Sequence, residues 1–416
     1  MRFLHLADLH LGKSMYGTSL TESGDQRVWT ERFLETAFRL KPDAVVIAGD
    51  VYDRGLAPGS AVQLLSGMVT ALAEKDIPVF MTAGNHDSIS HLSFLSPLLQ
   101  NQKVFISRPP DAGGGLTHAT LEDEHGSVTF WLMPYIFPAM IAQALADEEI
   151  RDYDTAVRRI LAAQKADFTR RNVLIAHQNV TANGQEVARG GSESMVGGVG
   201  QVDYTAFDGF DYVALGHIHS SYFVGRETVR YAGSPLAYHF NETKQPAKGP
   251  LLVTMGEKGA PVKIERQEIP PMHRMREIRD GYDAIREQAA REEWQDEYLK
   301  IILTDRRITP EISDYLHETA RARGSTVMEL TSEYSEFTGE AEVSGTEDVH
   351  EKPVEELFVD FYRDRSAGIE ADEKDRALLA FTGEMTRRAT EGTTEPDETE
   401  FRKILEFALG QEGETR

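Results

Sequence analysis

The chain has 416 residues, no cysteine and a formal net charge of −24. This length predicts two or three domains, and the absence of cysteine excludes disulfides, thiolate zinc sites and cysteine nucleophiles. Any metal site must therefore use His, Asp, Glu or Asn side chains. The N-terminus does not have the pattern of a signal peptide, and no run approaches 18 apolar residues, so we expect a cytoplasmic protein without a membrane span.

The negative charge is distributed unevenly along the chain. Residues 1–270 carry a net charge of −7, from 24 Lys and Arg against 31 Asp and Glu, and residues 271–416 carry −17, from 20 against 37. Because neutralising phosphates requires clustered Lys and Arg, this balance argues against a protein that coats nucleic acid. Nucleic-acid contact by the N-terminal part remains compatible with the charge, since most of the acidity lies elsewhere.

Short apolar runs alternate with amphipathic stretches over the first 270 residues. The runs predict buried strands at Arg2–Ala7, Ala44–Ala48, Val79–Thr82, Val128–Met133, Val173–Ala176 and Tyr212–Leu215. The amphipathic stretches predict helices at Gln26–Leu40, Ala61–Lys75 and Ala139–Thr169. The Gly- and Ser-rich segment Gly190–Gly200 predicts a loop. This order of elements is typical of a layered α/β domain over residues 1–270.

The remaining residues predict a second module and a tail. Residues 271–335 follow a Pro-Pro pair and predict a small α/β domain, with strands at Arg274–Ile278, Tyr298–Leu303 and Thr326–Leu330 and helices at Tyr282–Arg291 and Pro310–Arg323. Residues 336–352 predict an acidic linker, and residues 353–416 predict helices, each with one apolar face. Those faces fit either a groove on a partner or the chain's own domain.

Five short polar motifs each follow a predicted strand. They are Asp8-Leu-His10, Gly49-Asp50-Val-Tyr-Asp53-Arg54, Gly84-Asn85-His86-Asp87, His177 and Gly216-His217-Ile-His219. In open α/β sheets, residues beyond the carboxyl ends of the strands converge on one binding crevice. The glycines that precede Asp50, Asn85 and His217 permit tight turns that aim these side chains inward.

The residue types in the motifs match the ligands of hard and borderline divalent cations. Carboxylate and amide oxygens suit Mg²⁺ and Mn²⁺, and imidazole adds affinity for Mn, Fe or Zn. Two such ions with a bridging carboxylate hold a phosphate and generate a hydroxide nucleophile. Each motif alone also fits a turn or a surface histidine. Their order, their placement after strands and the number of ligands together favour a bimetal phosphoesterase.

The motifs resemble those of the SbcD family of calcineurin-like metallophosphoesterases. The phrases that carry the resemblance are His5-Leu-Ala-Asp8-Leu-His10-Leu-Gly12-Lys13, Gly49-Asp50-Val-Tyr-Asp53, Gly84-Asn85-His86-Asp87, Asp211-Tyr-Val-Ala-Leu-Gly216-His217-Ile-His219 and Tyr231-Ala-Gly233-Ser234-Pro235. The resemblance is strong over residues 1–240 and looser over 271–335 and the tail. It implies a β-sandwich flanked by helices, a small α/β capping domain and a helical C-terminal tail.

The resemblance also implies a role for each motif residue. His86 would protonate the leaving 3′ oxygen, and Asp87 would orient His86. Asp53 stands where some archaeal relatives carry a histidine that is tied to exonuclease action on duplex ends. The first ion would be held by Asp8, His10 and His219, and the second by Asn85, His177 and His217. The residue that would bridge the two ions is Asp50.

The function that the resemblance implies is that of a Mn²⁺-dependent DNA nuclease, with Mg²⁺ as the other candidate ion. It would act as exonuclease and endonuclease on double-stranded ends and hairpins in DNA repair, recombination and replication. No Gly-x-x-x-x-Gly-Lys-Ser/Thr motif occurs, so ATP would be used only through an SbcC-type ATPase bound by the C-terminal helices. The resemblance further implies a homodimer within a heterotetramer, in the bacterial cytoplasm and associated with the nucleoid.

Two other functions fit the same motifs. One is a phosphatase or cyclic-nucleotide phosphodiesterase of the same superfamily, which would need neither the capping domain nor the helical tail. The other is a non-catalytic subunit that binds DNA ends and whose metal site is structural.

Overall fold

The computed structural model describes residues 1–182, 200–244, 247–291 and 293–334. Residues Met1–Ser335 form one compact unit. The predicted loop at 190–200, apart from Gly200, the linker at 336–352 and the helices of 353–416 lie outside the described residues. No helix in the described ranges is long and apolar enough to cross a membrane.

The strands of the described residues, in chain order, are β1 Arg2–Leu6, β2 Ser14–Met15, β3 Thr18–Ser19, β4 Ala44–Ala48, β5 Val79–Thr82, β6 Val104–Ile106, β7 Thr117–Asp123, β8 Gly126–Met133, β9 Arg171–His177, β10 Asn179–Thr181, β11 Gln201–Asp203, β12 Tyr212–Gly216, β13 Phe223–Val224, β14 Arg226–Tyr231, β15 Leu251–Thr254, β16 Lys263–Arg266, β17 Arg274–Asp280, β18 Glu297–Leu303 and β19 Thr326–Ser332. The α-helices in the same ranges are α1 Asp25–Leu40, α2 Gly59–Glu74, α3 Ile89–Leu92, α4 Ser96–Leu99, α5 Pro138–Leu145, α6 Tyr153–Ala163, α7 Tyr282–Ala290 and α8 Pro310–Arg321.

Two six-stranded sheets pack face to face. The first has the order β16-β15-β1-β4-β5-β6 and the second the order β13-β14-β12-β9-β8-β7. Between them, Phe3, Val46 and Phe80 meet Phe130 and Tyr212 in a closed apolar layer. The rings of Phe80 and Phe130 stack with their centroids 4.4 Å apart. This architecture, with helices on the outer faces, confirms the predicted α/β fold class.

The central strands are buried on both sides. In β4, Ala44, Val46 and Ala48 face the second sheet, whereas Val45 and Ile47 pack on the side of α1 and α2. A strand covered on both faces reads as a continuous apolar run rather than an alternating one. Since β1, β4 and β5 run parallel, as do β8, β9 and β12, their carboxyl ends lie at the same edge of each sheet.

The apolar runs predict the central strands closely and the helices less well. The bounds predicted for β4 and β5 are those observed. The single helix predicted at Ala139–Thr169 is wrong, because α5 ends at Leu145 and α6 begins only at Tyr153. The Asp152 side chain accepts a hydrogen bond from the backbone N–H of Thr155 (2.8 Å) and caps the second helix. Because the amphipathic pattern continues across the break between the two helices, the sequence pattern does not show this N-terminal cap.

A third, parallel sheet of β17, β18 and β19 carries α7 and α8. One face of it packs around Trp294, Leu299 and Leu316. Tyr298, on the same strand as Leu299, belongs instead to the core formed with α1 and α2. The small sheet therefore contacts the larger part of the chain through its other face.

The buried carboxylate of Asp25, at the start of α1, anchors this contact. It accepts hydrogen bonds from the Tyr298 hydroxyl and from the backbone N–H of His273 (3.2 Å), and it lies 3.0 Å from His273 Nδ1. The hydrogen bond with Asp25 raises the pKa of His273 above its usual value, and burial opposes that shift. An ion pair between His273 and Asp25 thus links the two parts.

We expect His273→Ala to lower the free energy of unfolding by about 1 kcal/mol at pH 6, because it removes a charge-assisted hydrogen bond. The folded-state pKa of His273 lies above its unfolded value, so its stabilisation is complete below pH 6.5 and is lost as the pH rises through the folded pKa. Urea unfolding at pH 6 and pH 9 measures the difference. His125→Ala, at an exposed position, is the control. An equal loss of unfolding free energy in the His273 variant at both pH values would contradict the ion pair.

Candidate metal centre

The loops after β1 and β4 run side by side. The backbone N–H of Asp8 donates to Gly49 O (3.0 Å), and that of His10 donates to Asp50 O (2.9 Å). Asp8, His10 and Asp50 all have positive φ, at 54°, 42° and 46°. A non-glycine residue in this left-handed region costs about 1–2 kcal/mol. The surrounding hydrogen bonds hold these three side chains in turns that they would not adopt alone.

The predicted ligands converge at the carboxyl ends of the two sheets. The ligand atoms of three overlapping groups lie within 4.8 Å of one another: Asp8, His10 and His219; Asp8, Asp50 and His177; and His10, Asp50 and His86. Asn85 joins them, since its Oδ1 lies 3.1 Å from His177 Nε2 and 3.1 Å from His217 Nδ1. All seven residues that the resemblance implies as ligands are therefore brought together.

Asp50 lies at the centre of this cluster. Its Oδ2 is 3.3 Å from His177 Nε2 and 3.5 Å from His10 Nε2, and its Oδ1 accepts the backbone N–H of His86 (2.9 Å). Asp8 has a comparable position, because its Oδ1 accepts the backbone N–H of His217 (2.9 Å). These two carboxylates connect loops from both sheets, and both are at most 3% exposed.

Two glycines allow the loops to approach so closely. Gly49 has φ 82°, which a side chain would strain. Gly84 does not have a positive φ, but a Cβ there would lie 2.1 Å from Asp50 Oδ1 and 2.3 Å from the backbone N of Asp50. The expectation that glycine permits a tight turn thus holds at Gly49. At Gly84, glycine is required because a side chain would collide with Asp50.

Burial and mutual charge shift the pKa values of the central groups in opposite directions. Burial raises the pKa of Asp8 to about 7. Burial also opposes the charged forms of Asp50 and His177, but their mutual attraction outweighs it, holding the pKa of Asp50 well below its usual range and raising that of His177 to about 9. Burial lowers the pKa of His10 to about 4. This concentration of buried acceptors favours a positive charge in their midst.

The donor set fits a divalent cation. Asp8 Oδ2 is buried and has no hydrogen-bond partner among the described residues. A buried carboxylate oxygen without a donor is costly, and a divalent cation satisfies it. His177 Nδ1 lies 2.8 Å from Ala48 O and donates to it, so in the neutral imidazole, the form that binds a metal, Nε2 carries the lone pair and faces Asn85 and Asp50. We conclude that these residues suit a metal rather than a hydrogen-bonded core.

His86 and Asp87 differ from the expected arrangement. His86 Nδ1 lies 2.9 Å from the backbone oxygen of Asp53, to which it donates. The Asp87 carboxylate accepts the backbone N–H groups of Val51 (3.0 Å), Tyr52 (2.8 Å) and Gly84 (2.8 Å). Burial raises the pKa of Asp87 to about 6 and the charge of Asp50 adds to the shift. The contact that orients the His86 ring is therefore made by Asp53, and Asp87 fixes the loops around it.

Two residues of the site were not predicted. Glu242 is 1% exposed and its Oε1 lies 3.3 Å from His219 Nδ1. Lys248 Nζ lies 2.8 Å from the Glu242 Oε2 atom. Neither belongs to a short motif, and no sequence spacing marks them. Only the fold brings the segment after β14 against His219.

Comparisons with known proteins agree with this geometry. Residues 1–221 match the calcineurin-like phosphoesterase family, whose members use divalent metals, and residues 271–366 match the type 5 capsule protein repressor C-terminal domain. A relative from Staphylococcus saprophyticus, named as the SbcD component of the nuclease SbcCD, is 33% identical over 69% of this chain and 74% of its own length. One of the same name from Staphylococcus epidermidis is 28% identical over 73% of this chain and 79% of its own length.

We expect Gly84→Ala to destabilise the protein by about 1–3 kcal/mol, because the new methyl group forces the two loops apart. Divalent-cation binding should weaken with it, since Asp50 moves. Gly67→Ala is the matched control: Gly67 lies in the exposed face of α2 with no atom near its Cβ position, and alanine there should stabilise by about 0.5–1 kcal/mol. Thermal unfolding and metal titration measure both variants. A Gly84 variant as stable as the wild type would contradict the close approach.

Proposed function

The chain belongs to the SbcD family of calcineurin-like phosphoesterases, and we propose that it is the nuclease component of an SbcCD-type complex, hydrolysing DNA phosphodiester bonds with two Mn²⁺ ions. The observation that carries the proposal is the convergence of Asp8, Asp50 and the histidines in overlapping three-residue groups. Mixed oxygen and imidazole ligands suit Mn²⁺, and Mg²⁺ favours oxygen alone.

The ligands divide between two ions. Asp8, His10 and His219 would hold one ion, and Asn85, His177 and His217 would hold the other. Asp50 would contact both, in keeping with its distances of 3.3 Å to His177 Nε2 and 3.5 Å to His10 Nε2. The chemistry that the ions would supply is polarisation of a phosphate and activation of a water molecule. The protein's part is to hold the ligands in place and to shield the site.

In this mechanism His86 is the general acid that protonates the leaving 3′ oxygen. Its Nδ1–H donates to Asp53 O (2.9 Å), which fixes the ring and leaves Nε2 for the substrate. His86 also lies in one group with His10 and Asp50, so its ring is beside the proposed metal ligands.

An aromatic wall beside the site supports a substrate that carries bases. The Tyr135 ring centroid is 6.2 Å from that of His177 and 6.1 Å from that of His217. Phe137 lies 5.0 Å from Tyr135 between ring centroids and is 48% exposed. Exposed aromatic rings stack on unpaired bases at about 1–3 kcal/mol per base. A phosphatase for small substrates does not need such a wall.

The partner in the proposal is an SbcC-type ATPase, because the relatives are named as the SbcD component of the SbcCD nuclease. We assign its binding to the predicted apolar helix faces of residues 353–416. A second copy of the chain would bind at exposed apolar side chains on the larger part, among them Leu56 (79% exposed), Phe94 (71%) and Leu98 (63%). A hydrogen bond from His91 Nδ1 to Gly55 O (3.1 Å) connects the segment that carries Leu56 to the segment that carries Phe94 and Leu98.

We expect His86→Ala to lower cleavage of linear and hairpin DNA by about 10²–10⁴-fold in Mn²⁺, since general acid catalysis contributes that much. Metal binding should stay intact. His125→Ala is the control, because His125 is an exposed histidine that belongs to none of the ligand groups. It should cleave at the wild-type rate.

The same assay separates the alternatives. A His86 variant as active as the wild type would refute the proposed acid. A wild-type chain that hydrolyses bis(p-nitrophenyl) phosphate but leaves DNA intact would support the small-substrate phosphodiesterase. A chain that binds DNA ends and cleaves neither would support the non-catalytic role.

Removing residues 353–416 should abolish copurification with the ATPase partner. The shortened chain should still form a dimer, because it retains Leu56, Phe94 and Leu98. Coexpression with an affinity-tagged partner measures the first expectation, and light scattering of the shortened chain alone measures the second. A partner that remains bound would show that the helices fold back on their own domain instead, and a monomeric mass would contradict the proposed dimer surface.

A further inference from the structure

Two of the proposed ligand histidines face each other through the same ring atom. His10 Nε2 lies 3.2 Å from His219 Nε2. Their Nε2 atoms thus converge on one point, shared with Asp8 in a single group. The Nδ1 atoms of both rings lie toward carboxylates instead, one from the loop after β4 and one from the segment after β14.

The first carboxylate is Asp53. Its Oδ1 lies 3.3 Å from His10 Nδ1, an ion-pair contact without the geometry of a hydrogen bond, and 2.8 Å from Lys13 Nζ. The lysine comes from the same loop as His10, three residues further along, and the side chains of Lys13 and Asp53 are 17% and 19% exposed. A histidine, a carboxylate and a lysine therefore form one chain of contacts at the edge of the site.

The second carboxylate, Glu242, makes the same arrangement deeper in the protein. Oε1 lies 3.3 Å from His219 Nδ1, and Oε2 lies 2.8 Å from Lys248 Nζ. Lys248 also donates to His219 O (2.9 Å) and to Ser234 Oγ (2.7 Å). The lysine thus neutralises the glutamate and ties it to the backbone of the same histidine.

The histidines assigned to the other ion are oriented differently. His177 Nδ1 donates to a neutral acceptor, Ala48 O, at 2.8 Å. His217 Nδ1 lies 3.1 Å from Asn85 Oδ1, on the side of the proposed ion. A carboxylate fixes the tautomer and the orientation of an imidazole more firmly than a carbonyl does. His10 and His219 have a carboxylate oxygen 3.3 Å from Nδ1, whereas His177 Nδ1 has the Ala48 carbonyl at 2.8 Å and a carboxylate oxygen, that of Asp8, only at 4.0 Å.

We propose that Asp53 and Glu242, each neutralised by a lysine, are positioning residues that hold His10 and His219 with Nε2 toward the cation and raise the affinity of that cation site. The lysines let two carboxylates lie close to the site without adding net charge to it. The inference rests on the two-ion site of the proposed function and adds four residues outside the ligand set to it.

The test is Mn²⁺ titration of the full-length, metal-stripped protein by calorimetry and electron paramagnetic resonance. The wild type should bind two ions. Glu242→Gln and Asp53→Asn should each weaken one site by about 10–100-fold, the usual effect of losing such a partner of a ligand, and leave the other unchanged. Asp76→Asn is the matched control, because Asp76 pairs with Lys103 at 2.6 Å on the exposed surface.

Cleavage assays across Mn²⁺ concentrations provide the second readout. Glu242→Gln should need more Mn²⁺ for half-maximal activity and regain kcat within about twofold at saturation, since only affinity is lost. Asp53→Asn is judged by its Mn²⁺ affinity alone, because the backbone oxygen of Asp53 also orients His86. Unchanged affinities, or equal weakening of both sites, would overturn the inference. Should Glu242→Gln fail to fold, Asp53→Asn decides, because Asp53 lies in a partly exposed loop. A wild type that binds no ions would refute the proposed function instead.

Discussion

The charge of Asp50 is the constraint around which both sheets are arranged. The carboxylate is buried at the end of β4, and it touches His10 from the loop after β1, His177 from β9 and the backbone of His86. An isolated carboxylate could not be buried there, because its desolvation would exceed what the fold gains. The loops can close around it because His86 donates its backbone N–H to this charge, and the rings of His177 and His10 lie 3.3 Å and 3.5 Å from it.

The sandwich makes such a concentration of polar groups tolerable. Parallel strands with both faces covered resist displacement, since any shift would open the closely packed layer around Phe80 and Phe130. Their ends therefore define fixed points in space. Residues that are strained in isolation, such as Asp8 and His10 with their positive φ, keep their geometry because the strands on either side do not move.

Much of this could be predicted from the sequence, for a physical reason. Strands buried on both faces are continuous apolar runs, and the residues that follow them are polar because they leave the core. The runs ending before Asp8 and Asp50 thus predicted both the strands and the site. Edge strands such as β16, with the sequence Lys-Ile-Glu-Arg, have a single apolar residue in four positions and gave no comparable signal.

What the sequence could not predict is the direction of side chains in the loops. Asp87 follows His86 directly, and adjacency predicted that it would orient the histidine. Successive residues in a turn point in different directions, and the Asp87 carboxylate instead accepts three backbone N–H groups. Glu242 is the opposite case. It is 23 residues from His219, and only the packing of the segment after β14 reveals the contact.

The start of α1 connects the small sheet to the loops of the candidate metal site. Asp25 accepts the hydrogen bonds of His273 and Tyr298 from the small sheet. The next residue, Gln26, donates through Nε2 to His10 O (2.7 Å) and accepts the backbone N–H of Gly12 at Oε1 (3.0 Å). Two consecutive residues of one helix thus hold a metal-site loop on one side and the small sheet on the other. Because one helical turn is rigid on this scale, these two residues fix the position of the small sheet relative to His10, in addition to the packing of Tyr298 against the core formed with α1 and α2.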